Sequence, residues 1–299
     1  MVKMSETINF ISVVVPCLNS ENTVEKCIHS LLEQNYPSNF CEIIFVDNGS
    51  KDKTIDIIKK YPVQLLIENE KNPYVARNKG AVNSRGQILA FTDSNCEADK
   101  NWLSAINDYI NRGVEVSQGP GFLTKQKEII PRAECNQWVM KDDDFWGDGK
   151  NIALLKSVFM EVGGFPTHYT GGDSLIVYKL KTSGYNVRYN ENQKVYREFS
   201  TKFSVLLKKN WKYGKGDIAI DLFNNRLDKK KKYVLCMKSF LRFFIKIPEA
   251  KNPEEFFISN FYYHTMKITR SISYIVNYKL VLNKCKDIEG FTQVDRPNP

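Results

Sequence analysis

The chain has 299 residues, of which 42% are hydrophobic and 12% aromatic, and carries a formal net charge of +9. That is long enough to bury a large core, as one large α/β domain with an appendage or as two domains. The seven cysteines are odd in number and scattered without a CxxC pair, so neither a disulfide framework nor a zinc site follows. No run of about 18 apolar residues marks a membrane-spanning helix, and the opening MVKMSETINF lacks the apolar core of a signal peptide. The expectation is a reduced, cytoplasmic, soluble chain.

In chain order, Ile11 to Val15 is a β-branched run suited to a strand covered on both faces. Pro16 should close it. From Glu21 the period changes, with Val24, Cys27, Ile28, Leu31 and Leu32 forming one stripe of a helix capped by Asn19 or Ser20. The cycle repeats with a strand from Glu42 to Val46 that runs into Asp47, then a short helix facing inward through Ile55 and Ile58. Val63 to Ile67 is a third strand, about Tyr74 to Ser84 a helix with small inward residues, and Gln87 to Thr92 a fourth strand ending at Asp93. Strands alternating with helices predict a mostly parallel, Rossmann-like α/β sheet with helices on both faces. Ligands bind such sheets outside the carboxyl ends of the strands, and Asn19, Asp47 and Asp93 should share that edge.

A helix from Asp99 to Ile110 and a strand from Val114 to Gln118 continue the pattern, which breaks after Gly119. Residues 122 to 150 form a loop-rich insertion, the usual place for a substrate-specific surface. A helix from Leu155 to Val162, the turn Gly163-Gly164-Phe165-Pro166 and a helix opening at Asp173 and ended by Gly184 follow. From about Lys202 the chain reads as helical and basic with interleaved aromatics, and ends in a polar tail expected to be disordered.

ISVVVPCLNSENTVEKCIHSLLEQNYP, EIIFVDNGSKDKT, NPYVARNKGAVNSRGQILAFTDSNCEAD, VGGFP and GGDSL, in this order and spacing, resemble a family 2 glycosyltransferase. The likeness is dense from residue 10 to about 110 and sparser to about 216. It implies a GT-A fold and transfer of a sugar from a nucleotide diphosphate donor, a UDP-sugar first, to a glycan or lipid-linked acceptor hydroxyl, with inversion at the anomeric carbon. The implied organisation is a GT-A domain over 1–220, its nucleotide-sugar half about 10–120 and its acceptor half about 121–220, with a helical appendage over 221–299.

By this resemblance Pro16 and Asn19 lie where the first strand meets the nucleotide, and Asp47 receives the base or ribose, which a carboxylate acceptor can do. Arg77 and Asn78 stand beside the diphosphate. Asp93 and Asn95 fall on the Asp-x-Asp motif that binds Mg²⁺ or Mn²⁺ bridging the donor phosphates, although the Asn95 amide brings no charge. Arg197 replaces a histidine that can join the metal, and could itself neutralise the diphosphate. Asp173 matches the catalytic base, with Gly172 in place of the usual preceding acid; a helix N-terminus should keep that carboxylate ionised. Lys212 and Lys215 in NWKYGKG resemble a basic segment able to fold over the diphosphate as a lid.

The basic surplus after about residue 178 suggests a phosphate-rich partner. Nucleic acid rests on net charge alone and is not expected. Residues 200–250, including FLRFFIKIP, could instead lie peripherally on an anionic leaflet, as in a transferase acting on a lipid phosphate. From another class, Asn95, Gly172 and Arg197 favour a degenerate binder of nucleotide sugars.

Overall fold

The computed structural model describes residues 7–120, 125, 127, 147–167, 171–200, 202–223, 261 and 265–277. Most of the expected acceptor-side insertion, the lysine run and FLRFFIKIP, and the tail lie outside the described residues. The chain divides into two compact units: Met1–Gln126, Trp138–Thr167 and Gly172–Glu198 form one, and Lys127–Gln137, His168–Gly171 and Phe199–Pro299 the other.

The first unit is built on a seven-stranded sheet of order β3-β2-β1-β4-β7-β6-β8. Its strands are β1 (Ile11–Cys17), β2 (Cys41–Asp47), β3 (Gln64–Ile67), β4 (Ile88–Phe91), β6 (Val116–Gln118), β7 (Ile152–Leu155) and β8 (Val187–Tyr189). A two-stranded sheet joins β5 (Cys96–Ala98) to β9 (Val195–Arg197). Strands β1 to β4 are mutually parallel, as their alternation with helices predicts. Strand β7 runs antiparallel to both β4 and β6, so the second half of the sheet breaks the doubly wound pattern.

Period-two alternation sends β1 side chains to both faces. Ile11, Val13 and Val15 join Phe45 and Ala90 against α1 (Val24–Leu32) and α4 (Trp102–Asn111). Val14, Ile44, Val46, Leu89 and Phe91 face α3 (Pro73–Val82), α5 (Lys156–Glu161) and α6 (Gly172–Thr182). Each fully buried Val, Ile or Leu contributes about 1.5–3 kcal/mol, and this two-sided burial is why β1 and β4 read as continuous apolar runs. Gly80 lets α3 lie directly on β1, since a Cβ there would overlap Val14.

Several boundaries differ from expectation. β1 continues through Pro16, whose missing N–H costs no ladder bond with β4 because that pairing ends at Val14–Phe91, while the pairing with β2 runs on to Cys17–Asp47. Neither Asn19 nor Ser20 caps α1. Its N-cap is Thr23, without a side-chain cap bond; the Asn19 and Ser20 amides instead donate to Ser50 Oγ at 2.8 Å and Thr54 Oγ1 at 2.7 Å. The short strands β5, β7 and β8 carry too few residues for a period to show.

The second unit contains α7 (Phe203–Phe223) and a helix over 265–277. NWKYGKG lies inside α7 and not in a glycine-flanked lid loop. Gly214 is a packing residue there: a Cβ would overlap the Arg270 carbonyl oxygen and lie 2.7 Å from Ser273 Cβ. Ser273 Oγ donates to Trp211 O at 2.5 Å, and Asn210 Nδ2 donates to Met266 Sδ at 2.9 Å, locking the two helices together. Lys212 is exposed and Lys215 half-buried on α7. Among the described residues no helix is long and apolar enough to cross a membrane.

Candidate active site

At the carboxyl edge of the sheet, the turns after β1 and β2 are zipped together. Asn19, at φ 50°, accepts from Lys51 N at 2.9 Å, and Glu21 N donates to Asp52 at 3.0 Å. Asp47 is buried, with Oδ2 accepting from the amides of Gly49 and Ser50, both at 3.0 Å, and Oδ1 facing the Cys17 thiol at 3.9 Å. Its first duty is therefore to shape its own turn. Ser20 Oγ meets Ser94 Oγ at 2.7 Å, tying the β1 turn to the turn that carries Asp93.

Asp93 follows β4 and pairs with Arg77 of α3 at 2.5 Å. The Arg77 side chain is only 5% exposed, against 25% for Asp93. The guanidinium lies 5.6 Å from the ring centres of both Tyr74 and Phe165, a cation–π cradle that orients a buried charge. Its Nε has no hydrogen-bond partner among the described residues. Gly149 closes the cradle, since a Cβ there would stand 3.1 Å from the guanidinium carbon. Asn78 does not face this group freely: Nδ2 donates to Phe165 O at 2.8 Å and Oδ1 accepts from Phe165 N at 2.9 Å. It pins the Gly163-Gly164-Phe165 turn, whose glycines have φ of 77° and 71° and so suit no other residue well.

Asp173 stands in the first turn of α6 and is half-buried. Oδ1 accepts from Tyr74 Oη at 3.2 Å and from Ser174 N at 3.1 Å; Oδ2 accepts from Gly149 N at 3.2 Å. Tyr74 and Gly149 thus touch both Asp173 and the Arg77 cradle, and they bring the expected base and the expected diphosphate residues to one place. The helix N-terminus is expected to keep this carboxylate ionised. Withdrawal from water, followed by the nearby Asp148 carboxylate, pushes the Asp173 carboxyl above its ordinary value, with Lys150 and Arg77 opposing. Around Asp93 the thiols of Cys27 and Cys96 are buried and pushed up, Cys96 to about 12, first by desolvation; they are inert neutral packing.

Asp148, Lys150, Tyr74 and Gly149 were not singled out from sequence. Asp148 and Lys150 are almost fully buried and paired with each other. The signal available was a charged pair two residues apart with glycines interleaved, GDGK, inside a polar insertion. Behind them Asn151 accepts from Trp102 Nε1 at 2.8 Å and donates to Gln193 O at 2.6 Å, which anchors the turn to the sheet.

The donor set for a cation is lean. Among the described residues no group of three or more His, Cys, Asp or Glu side chains gathers around a point. Asp93 supplies one carboxylate, already facing Arg77. Asn95 Nδ2 donates to Glu198 O at 3.4 Å, leaving its amide oxygen near the Cys96 thiol at 3.8 Å. Arg197, at the end of β9, contributes charge but no ligand. One carboxylate with substrate phosphate oxygens is a recognised way to hold Mg²⁺-like ions, so these residues fit a cation held mainly by the donor.

A mostly parallel α/β sheet with aspartates and a buried arginine gathered at its carboxyl edge is the architecture of the GT-A class of glycosyltransferases. The family model described as Glycosyl transferase family 2 matches residues 12–163, and the chain belongs to that family of glycosyltransferases. It is 27% identical to glycosyltransferase AglE of Haloferax volcanii over 261 residues, 82% of this chain and 84% of that protein. Its fold is similar to that of the mannosyltransferase PcManGT of Pyrobaculum calidifontis, solved with GDP-Man and Mn²⁺, at TM-score 0.58 and 17% identity over 94% of this chain and 76% of that one. It is likewise similar to TarS 1–349 of S. aureus, solved with UDP-GlcNAc, at TM-score 0.53 and 16% identity over 92% of this chain and 91% of that one.

Proposed function

We propose that this glycosyltransferase moves a sugar from a nucleotide diphosphate donor to an acceptor hydroxyl by a single inverting displacement, with Asp173 as the base. The observation that carries this is the convergence of Asp173 with the Arg77–Asp93 pair through Tyr74 and Gly149. Asp173 takes the proton from the acceptor hydroxyl as that oxygen forms its bond to the anomeric carbon. The bond from that carbon to the diphosphate oxygen breaks on the opposite face, and its electron pair leaves on the nucleotide diphosphate. Raising the base's proton affinity brings it nearer the operating pH, which strengthens it. Tyr74 and the Gly149 amide hold the carboxylate in register.

Arg77, kept dry between Tyr74 and Phe165, stabilises charge growing on the leaving diphosphate, and Arg197 adds to it. Asp93 and Asn95 would hold Mg²⁺ or Mn²⁺. Bound there, it would supply positive charge against the departing diphosphate. Pro16 and Asn19 shape the nucleotide end, and Asp47 offers Oδ1 to a ring N–H or ribose hydroxyl. Lys212 and Lys215 contribute basic charge on the C-terminal unit, and the acceptor is a glycan or lipid-linked hydroxyl, with peripheral contact at an inner membrane face through residues 200–250. A uridine donor is the first choice by the family resemblance; of the two neighbours in fold, TarS holds UDP-GlcNAc and PcManGT holds GDP-Man, so both bases enter the test.

The test is release of nucleotide diphosphate from a panel of UDP- and GDP-sugars, with Mn²⁺ or EDTA. Asp173→Asn is expected to lower turnover roughly 10²–10⁴-fold while a donor still raises the melting temperature. Intact turnover in that variant refutes the base assignment, and a melting temperature that no donor shifts refutes the nucleotide-sugar site.

A further inference from the structure

The turn over residues 147–150 presents two consecutive amides to two different carboxylates. Gly149 N donates to Asp173 Oδ2 at 3.2 Å, and Lys150 N donates to Asp148 Oδ1 at 3.1 Å. Gly147 presses the turn against α6, because a Cβ there would overlap the Asp173 carbonyl oxygen, and Ser174 Oγ donates to Gly147 O at 3.4 Å. The two acids are therefore fixed as neighbours by backbone, not by flexible side-chain reach.

We propose that Asp148 is a positioning residue of the transfer reaction, forming with Asp173 a coupled carboxylate pair that receives the acceptor's proton and is held in place by Lys150. The proposal rests on Asp173 being the base. Three further observations support it. First, Asp148 is 5% exposed and Lys150 8% exposed. A buried ion pair is a poor way to stabilise a fold compared with apolar residues of the same volume, so a pair in this place calls for a use. Second, Asp148 Oδ2 has no hydrogen-bond partner among the described residues, so this buried carboxylate keeps unused hydrogen-bonding capacity beside Asp173. Third, Gly172 leaves no room for an acid beside Asp173 on α6: a Cβ would lie 2.6 Å from Pro166 O and 3.2 Å from the Tyr74 ring. The second carboxylate comes from the facing turn instead.

Chemically, a second carboxylate beside Asp173 disfavours its ionised form, so Asp173 holds its proton more tightly than it would alone. The groups facing it are Arg77 and Tyr74 from α3 and Lys150 from the turn, and the Cys96 thiol of the small sheet feels the charge of Asp148. Burial first and then Asp148 raise the proton affinity of Asp173, while Lys150 and Arg77 limit the rise. The acceptor's proton moves to Asp173 as the new glycosidic bond forms and leaves to water after product release, with no other reagent required.

The experiment titrates the aspartate carboxyls of the full chain by ¹³C NMR in wild type, Asp148→Asn and Lys150→Met, and records the pH dependence of donor turnover in the same proteins. Asp148→Asn should move the Asp173 titration and the acidic limb of turnover to lower pH, and lower turnover at neutral pH roughly tenfold. Lys150→Met should move both to higher pH, which keeps the test alive if one variant does not fold. An Asp173 titration that stays in place in the folded variants overturns the proposal, as does a shifted titration that the acidic limb of turnover ignores. Asp173→Asn with intact turnover refutes the base assignment separately, because the NMR coupling does not depend on it.

Discussion

At the amino-terminal edge of the sheet, Glu42 is closed in on every side. Its oxygens accept from Ser12 Oγ at 2.6 Å, Arg85 N at 2.6 Å, Arg85 Nε at 3.0 Å and Gln64 Nε2 at 3.0 Å. At the carboxyl edge, Asp93 pairs through one oxygen with Arg77 and stays 25% exposed, and Asp148 keeps an oxygen without a partner among the described residues. Burial alone does not separate the two edges, since Glu42 and Asp148 are comparably buried. What differs is whether the hydrogen-bonding capacity of the acid is filled. A filled carboxylate ties strands together; an unfilled one beside a buried guanidinium is available to a ligand or a proton.

The largest expected effect lies at the carboxyl edge. Asp93→Ala should lower turnover roughly 10²–10³-fold and abolish the donor-dependent rise in melting temperature; if turnover survives, Asp93 only anchors Arg77 and the contrast between edges fails. Next comes Gly147→Ala, which forces its Cβ into the Asp173 carbonyl. It should cost about 1–3 kcal/mol in chemical denaturation and displace the base, so that kcat falls while donor binding holds. Glu42→Gln removes an acceptor of charge-assisted bonds and should cost about 1–3 kcal/mol with kcat unchanged, and a fall in kcat would show that the amino edge reaches the site.

The smallest effect is one of pH. Burial pushes Glu42 up, but the bonds from Ser12 and Arg85 outweigh it and hold its carboxyl below the ordinary value of 4.5. A depressed folded value means stability that is present above the unfolded value and is lost as pH falls through the folded one. Melting temperature should therefore drop below about pH 4.5 in wild type, and less steeply in Glu42→Gln. Equal slopes would assign acid denaturation to other groups.

Much of the sheet edge was legible in the chain. β1, β2 and β4 are apolar runs each ending in a polar turn, and Asp93, Asp173 and Arg77 came from matching motifs at matching spacing. Yet Asp47 and Asp93 follow apolar runs in the same way, and only the structure shows Asp47 engaged with its own turn while Asp93 meets Arg77. By resemblance Asn78 falls with Arg77 beside the diphosphate, but successive helical residues point in different directions, and its amide bonds Phe165. The glycines of NWKYGKG suggested a mobile lid; a glycine in a helix is equally the residue that admits another helix closely, as Gly214 does.

The sequence by itself determined the alternation of strands and helices, the family, and the strand ends where polar residues would gather. These are local properties, readable from side-chain period and motif spacing. Tertiary structure alone decided which polar groups are filled and which are left open. It also brought Asp148 and Lys150 from a turn some 25 residues upstream against Asp173. The physical reason is that hydrogen-bond satisfaction and electrostatic coupling depend on neighbours in space, and no spacing along this chain encodes that two acids share consecutive amides of one turn.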